Sequence, residues 1–173
     1  MLTRWPLPDL AVLERRRPRP FDPHRALTEL HRYGIEFVVI GGLAEVLHGA
    51  PYDTDDLDIL VAPGSRDACA AMLRMLDARA VAATDDDPGL GLDWSASHLE
   101  AVDRLPLVTD AGRLDIISPE VVEPVSTVGM RLGQLDVSVA DLDWLIAAKD
   151  ASTSRVQRRR VPTLLALRDE LQG

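Results

Sequence analysis

The stretch from Ile40 to Val61, IGGLAEVLHGAPYDTDDLDILV, constrains this chain more than any other. It sets two adjacent glycines after one apolar run and two acids, Asp56 and Asp58, at the start of the next. Leu57 to Val61 reads as a strand, and residues two apart on a strand point to one face. Asp56 and Asp58 therefore aim their carboxylates the same way. Two carboxylates converging at a strand end suit a hard, oxygen-seeking cation such as Mg²⁺, which commonly shares its shell with substrate phosphates.

Ile35 to Ile40 is β-rich and nearly all apolar, which predicts a strand buried on both faces. Gly41-Gly42 breaks it, and Leu43 to Leu47 predicts a short helix that ends near Gly49. Glycines let the backbone approach phosphate oxygens closely, and a helix N-terminus offers unpaired N–H groups. Such a turn is equally well only a tight connection. His48 is expected to brace the loop.

Elsewhere the pattern predicts a helix over His24–Tyr33, stopped by Gly34. A second helix starts at Ser65 or Asp67 and runs to about Ala78, with Ala71, Met72, Met75 and Leu76 inward. Ala80–Ala83 reads as a short edge strand and Thr84–Asp93 as a loop. The triple acid Asp85-Asp86-Asp87 is expected to be solvated, because consecutive side chains diverge. Leu99–Val102, Leu107–Thr109, Arg113–Ile117 and Leu135–Val139 read as strands, with a turn at Asp110-Ala111-Gly112. Ala140–Ala151 has helical periodicity with Asp141 near its start. Pro162 opens a closing helix that carries Leu164, Leu165, Leu167 and Leu171. Residues 1–22, with four prolines and five arginines, read as an irregular arm around a short helix at Leu10–Arg16. The expectation is an α+β architecture: one domain over residues 23–173, a mixed sheet flanked by helices, with C-terminal helices from about residue 140.

The single cysteine, Cys69, excludes an internal disulfide and sits in an Ala/Leu/Met pattern that buries it. No apolar run is long enough to span a bilayer. The first residues lack the apolar core of a signal peptide, so a cytoplasmic, metal-activated protein is the expectation. A net charge of −9 argues against non-specific wrapping of nucleic acid. The bases are nonetheless clustered, Arg15–Arg17 with Arg19 at one end and Arg155 with Arg158–Arg160 near the other, and two such patches either hold a polyanion or are simply solvated.

Two further residues bear on chemistry. Asp115 is a lone carboxylate inside the apolar strand Arg113–Ile117, where an unpaired charge is costly. Its partner is either a cation shared with Asp56 and Asp58 or an arginine such as Arg113 or Arg104. Lys149, on the helix over 140–151, is the only lysine in a chain whose other bases, histidine aside, are all arginine. It is a point charge able to grip a triphosphate, or an ordinary surface residue.

Taken together, these residues resemble the DNA polymerase β-like nucleotidyltransferase superfamily, and in particular its minimal members of the AbiEii toxin type. That family carries G-G-x-A-x-x-x-H-G, four residues, then T-x-D-[ILV]-D-[ILV]. Here Gly41-Gly42-Leu43-Ala44, His48-Gly49 and Thr54-Asp55-Asp56-Leu57-Asp58-Ile59 fill it. Gly112-Arg113-Leu114-Asp115 is similar to the strand of the third metal carboxylate, and Asp141-Leu142 to Lys149 is similar to the family's D-L-I-x-x-K helix. The resemblance implies a polymerase β-like nucleotidyltransferase fold and an Mg²⁺- or Mn²⁺-dependent enzyme. It would move an NMP from an NTP such as ATP to an acceptor hydroxyl, on an RNA such as a tRNA 3′ end or on a protein. Asp56, Asp58 and Asp115 would be both metal ligands and catalytic residues. Gly41, Gly42, Thr54 and Lys149 would hold the nucleotide. A toxin–antitoxin role, with a cognate antitoxin as partner, is also implied. Two positions depart from the pattern: Tyr52 stands where members often have Arg, and Arg158–Arg160 replaces an acidic position. The alternative is a catalytically degenerate nucleotide-binding or interaction module of the same fold.

Overall fold

A computed structural model describes residues 20–81 and 90–173. The expected helix at Leu10–Arg16, the basic block Arg15–Arg19 and the triple acid Asp85–Asp87 lie outside the described residues.

The first helix, α1 (Pro23–Arg32), begins where Asp22 Oδ1 accepts from Arg25 N at 2.9 Å and Pro23 supplies a helical φ. Gly34, at φ +63°, ends it and turns the chain into strand β1 (Phe37–Ile40). Only the second half of β1 is sealed: Val39 is fully buried, whereas Phe37 and Val38 are half-buried. The expected burial on both faces therefore fails at this end. There Phe37 and Val38 line a groove of about 620 Å³ with Leu60, Val61 and Val125. Helix α2 (Gly41–Leu47) follows without a linker and begins at the first glycine rather than at Leu43. It leads to strand β2 (Asp56–Val61). The next helix, α3 (Arg66–Met75), buries Met72, Leu73 and Cys69 but exposes Met75, contrary to expectation. Leu73 takes the inward place, three residues before buried Leu76. Ser65 precedes this helix, but its hydroxyl accepts from Glu36 N at 2.9 Å instead of capping.

Strands β3 (Arg79–Ala80) and β4 (Leu90–Gly91) are two residues each. The segment expected as a strand at Leu99–Val102 is instead helix α4 (Ala96–Glu100). Ser95 N donates to His98 Nδ1 at 3.1 Å, and of the expected strand only Leu99 is buried, so a local cap outweighs a weak apolar run. Strands β5 (Arg104–Thr109) and β6 (Gly112–Ile117) form the expected hairpin. Strand β7 (Thr127–Leu132) alternates Val128, Met130 and Leu132 with Thr127, Gly129 and Arg131; it is mostly exposed, only Met130 and Leu132 pack partly on the core, and its partner β8 (Leu135–Ala140) gives it its pairing. Helix α5 (Leu142–Asp150) is capped by Asp141, whose Oδ1 accepts from Trp144 N at 2.8 Å. A single turn, α6 (Arg155–Arg158), and the closing helix α7 (Val161–Gln172) complete the chain.

Among the described residues the strands form one mixed sheet in the order β4-β3-β5-β6-β2-β1-β8-β7. Pairs β1/β8 and β2/β6 are parallel and the others antiparallel. The main core joins α1 and α3 to the sheet. A second, smaller cluster of Ala50, Leu142 and Leu164 ties α7 and α5 to the loop before β2. No helix among the described residues is long and apolar enough to cross a membrane.

Candidate active site

Strand register brings the three predicted carboxylates to one face. In the parallel pair β2/β6, Asp58 is the direct partner of Asp115, and Asp56 lies two residues before Asp58. Neighbours across a sheet share a face, as do residues i and i+2, so all three side chains stand on the same side. Asp115 is 7% exposed.

Asp115 has an arginine partner, one of the two outcomes open from the sequence. Arg104 donates from Nε to Asp115 Oδ2 at 2.8 Å and from Nη2 to the same oxygen. Its Nη2 also lies 3.8 Å from Asp58 Oδ1. Antiparallel pairing sets Pro106 opposite Asp115, so Arg104, two residues from Pro106, faces the acids diagonally. Asp58 bears the strain of the cluster: burial, then the charges of Asp56 and Asp115, push its carboxyl up to about 7, against the pull of Arg104 and Lys149.

The glycine turn crosses directly over this face. Ile40, the last residue of β1, pairs with Asp58, so the chain entering α2 passes the Asp58 carboxylate. A Cβ on Gly41 would lie 2.0 Å from Asp58 Oδ2, and Gly41 has φ +65°. A Cβ on Gly42 would lie 2.9 Å from Thr54 Oγ1. Thr54 Oγ1 in turn donates to Asp56 Oδ1 at 3.0 Å. The motif thus folds on itself: each glycine permits contact with a residue of the later half. His48 Nε2 donates to the Ala140 carbonyl at 2.8 Å and pins the loop to the end of β8.

Lys149 is buried rather than on the surface. Its Nζ lies 2.7 Å from Glu45 Oε1 and donates to Gln157 Oε1. Glu45, on α2, is completely buried, and Arg160 Nη1 lies 3.4 Å from its Oε2. The Arg160 guanidinium also covers the Tyr52 ring, 4.8 Å from its centroid. Arg160 therefore leaves the expected basic surface block, whereas Arg155, Arg158 and Arg159 are exposed. Neither Glu45 nor Arg160 stood out from the sequence as part of the site. The signal for Glu45 was a lone charge in an otherwise apolar seven-residue helix, the same reasoning that marks Asp115.

Asp56, Asp58 and Asp115 are hard oxygen donors of the kind Mg²⁺ takes, and the bare Gly41 backbone leaves room for the Asp58 carboxylate that no side chain could share. Their oxygen-donor chemistry is what matches that ion, since the place beside Gly41 is filled by the Asp58 carboxylate itself. As the side chains stand, no three His, Cys, Asp or Glu among the described residues are drawn into a ligating cluster. Arg104 balances the charge at the Asp115 end instead.

No family profile matches the chain, and no curated protein matches it in sequence. Solved structures do match its fold. The lincosamide antibiotic adenylyltransferase LnuA, determined with lincomycin bound, superposes with a TM-score of 0.59 at 10% identity, over 86% of this chain and 99% of that one. An antigenic nucleotidyltransferase-like protein from Paracoccidioides brasiliensis gives 0.52 at 14% identity, over 86% and 79%. ANT(2″)-Ia in complex with adenylyl-2″-tobramycin gives 0.52 at 13% identity, over 83% and 85%. The chain has the polymerase β-like nucleotidyltransferase fold.

Proposed function

We propose that this chain is an Mg²⁺-dependent nucleotidyltransferase that moves an NMP from an NTP to an acceptor hydroxyl. The observation that carries this reading is the register of Asp58 with Asp115, with Asp56 on the same face, beneath a glycine turn in a nucleotidyltransferase fold. Asp56 and Asp58 would hold Mg²⁺ (or Mn²⁺), with Asp115 as third ligand. When bound, the ion supplies Lewis-acid charge to the NTP phosphates and the attacking hydroxyl. Asp115 Oδ2 would exchange its Arg104 partner for that centre, and the same carboxylate would take the hydroxyl proton. Thr54 keeps Asp56 oriented through its Oγ1 bond. The backbone at Gly41 and Gly42 would receive the β- and γ-phosphates, and Lys149 would pair with the triphosphate.

For the acceptor, an RNA 3′ end or a protein hydroxyl follows from the family resemblance, as does a cognate antitoxin. LnuA and ANT(2″)-Ia act on antibiotics, which adds a small hydroxylated molecule as a third class. The inward turn of Arg160 removes one base from the patch an RNA would use.

Incubation with each α-³²P NTP and total RNA, a protein lysate or a panel of aminoglycosides and lincosamides tests this reading. Wild type is expected to label one acceptor class and release pyrophosphate, and Asp58→Ala to lose both. Equal labelling by the two proteins sinks the assignment of the site. A second reading, a nucleotide-binding module without catalysis, is favoured by the Arg104 contact that draws Asp115 away from a ligating cluster. Its signature is Mg·NTP binding with no pyrophosphate release from any acceptor.

A further inference from the structure

Glu45 is a carboxylate sealed wholly inside the protein, and nothing in the nucleotidyl-transfer reading uses it. Burial of such a group is tolerated when cations pair with it. Glu45 has two, Lys149 and Arg160, on different elements of the C-terminal region. One cation would neutralise it, so the cluster carries one positive charge in excess. That excess opens outward at Arg160, whose side chain is 30% exposed against 11% for Lys149.

The guanidinium is held from two sides: its Cζ lies over the Tyr52 ring, and its Nη1, 3.7 Å from the position a Cβ on Gly42 would take, reaches Glu45. Its contact with Glu45 uses Nη1 alone. A guanidinium carries five donors in a fork that matches phosphate oxygens, so donors on Nε and Nη2 remain for a second anion. Arg158 and Arg159 are exposed, and among the described residues neither has a ring or a carboxylate to aim it.

We propose that Arg160 is a triphosphate-binding residue beside the Gly41–Gly42 turn, and that Glu45 is the positioning residue that aims Arg160 and Lys149 toward it. The assignment rests on the nucleotidyl-transfer reading and adds to it a specific phosphate contact.

Calorimetry on the full chain, with each Mg·NTP and with the matching NMP, tests it. Arg160→Gln is expected to weaken Mg·NTP binding by roughly ten- to a hundredfold, the scale of a charge-assisted pair, with NMP binding little changed. Arg158→Gln should change neither. Arg160→Lys keeps the charge but loses the fork, and should fall between. Glu45→Gln should weaken Mg·NTP binding in the wild-type background and add little on top of Arg160→Gln, whereas an independent structural role would give additive losses. Thermal melts identify which variants fold, and the two Arg160 variants decide the matter if Glu45→Gln does not. Unchanged Mg·NTP affinity in folded Arg160→Gln overturns the assignment and leaves nucleotidyl transfer standing. A wild-type protein that binds no NTP overturns both.

Discussion

Asp58 concentrates the electrostatics of this protein in one residue. Its carboxyl titrates near 7 in the folded protein, against an ordinary value of 3.8. Between those values the unfolded chain has released a proton that the folded chain still holds, so stability falls as pH rises through this window. Above it the full penalty remains. In EDTA, Asp58→Asn is therefore expected to be more stable than wild type above neutral pH, by on the order of a few kcal/mol. The gap should close as the pH drops below about 4, where the wild-type carboxyl is protonated in both states. Urea unfolding at pH 8 and pH 4 checks this; a gap that is the same at both values counts against it. Asp56 and Asp58 were legible from the sequence because their spacing on one strand settles their direction. The partner of Asp115 was not: whether a cation or Arg104 faces it depends on strand pairing, which places Arg104 diagonally across from it. Tyr52 is covered by an arginine from the other end of the chain.

At the scale of elements, the turn from β1 into α2 is the part with the least room. A side chain at residue 41 meets both a left-handed φ and the Asp58 carboxylate. Gly41→Ala is expected to destabilise by about 1–3 kcal/mol and, under the proposed function, to abolish nucleotide transfer. Gly129, on the exposed strand β7, has nothing within 4 Å of the place a Cβ would occupy. Gly129→Ala should stay within roughly 0.5 kcal/mol of wild type. Denaturant midpoints and transfer assays on the pair separate close approach from the general effect of a lost glycine. Elements with strong apolar patterns and punctuation, such as α1, β2, the β5/β6 hairpin and α5, could be read from the chain alone. Strand β7 was missed although Val128, Met130 and Leu132 alternate along it, because the run is short and mostly exposed and its order comes from hydrogen bonds to β8. The segment at Leu99 was misread because four residues of mixed polarity do not distinguish a strand from one turn of helix, and the Ser95–His98 contact decides it.

At the scale of the whole molecule, the C-terminal helices close over the loop that precedes β2. Leu164 is fully buried against Ala50 and Leu142, in a cluster separate from the main core. Leu164→Ala is expected to cost roughly 2–5 kcal/mol and to loosen α7 ahead of the sheet. Hydrogen exchange should show amide protection lost over 161–172 while β1, β2 and β6 keep theirs; uniform loss would show that the two clusters unfold as one. Sequence alone determined the local chemistry: the Gly41-Gly42 break, the Asp56/Asp58 spacing and the place of Asp141 at its helix start, which follow from backbone sterics, the two-residue period of a strand and the unpaired N–H groups of a helix N-terminus. Tertiary structure decided the rest. Pairing of β2 with β6 makes Asp115 a neighbour of Asp58, and docking of α5 and the Arg160 turn buries Glu45 between two cations. Those contacts join residues tens of positions apart, and no local pattern encodes them because their free energy exists only once the sheet and the second cluster have formed.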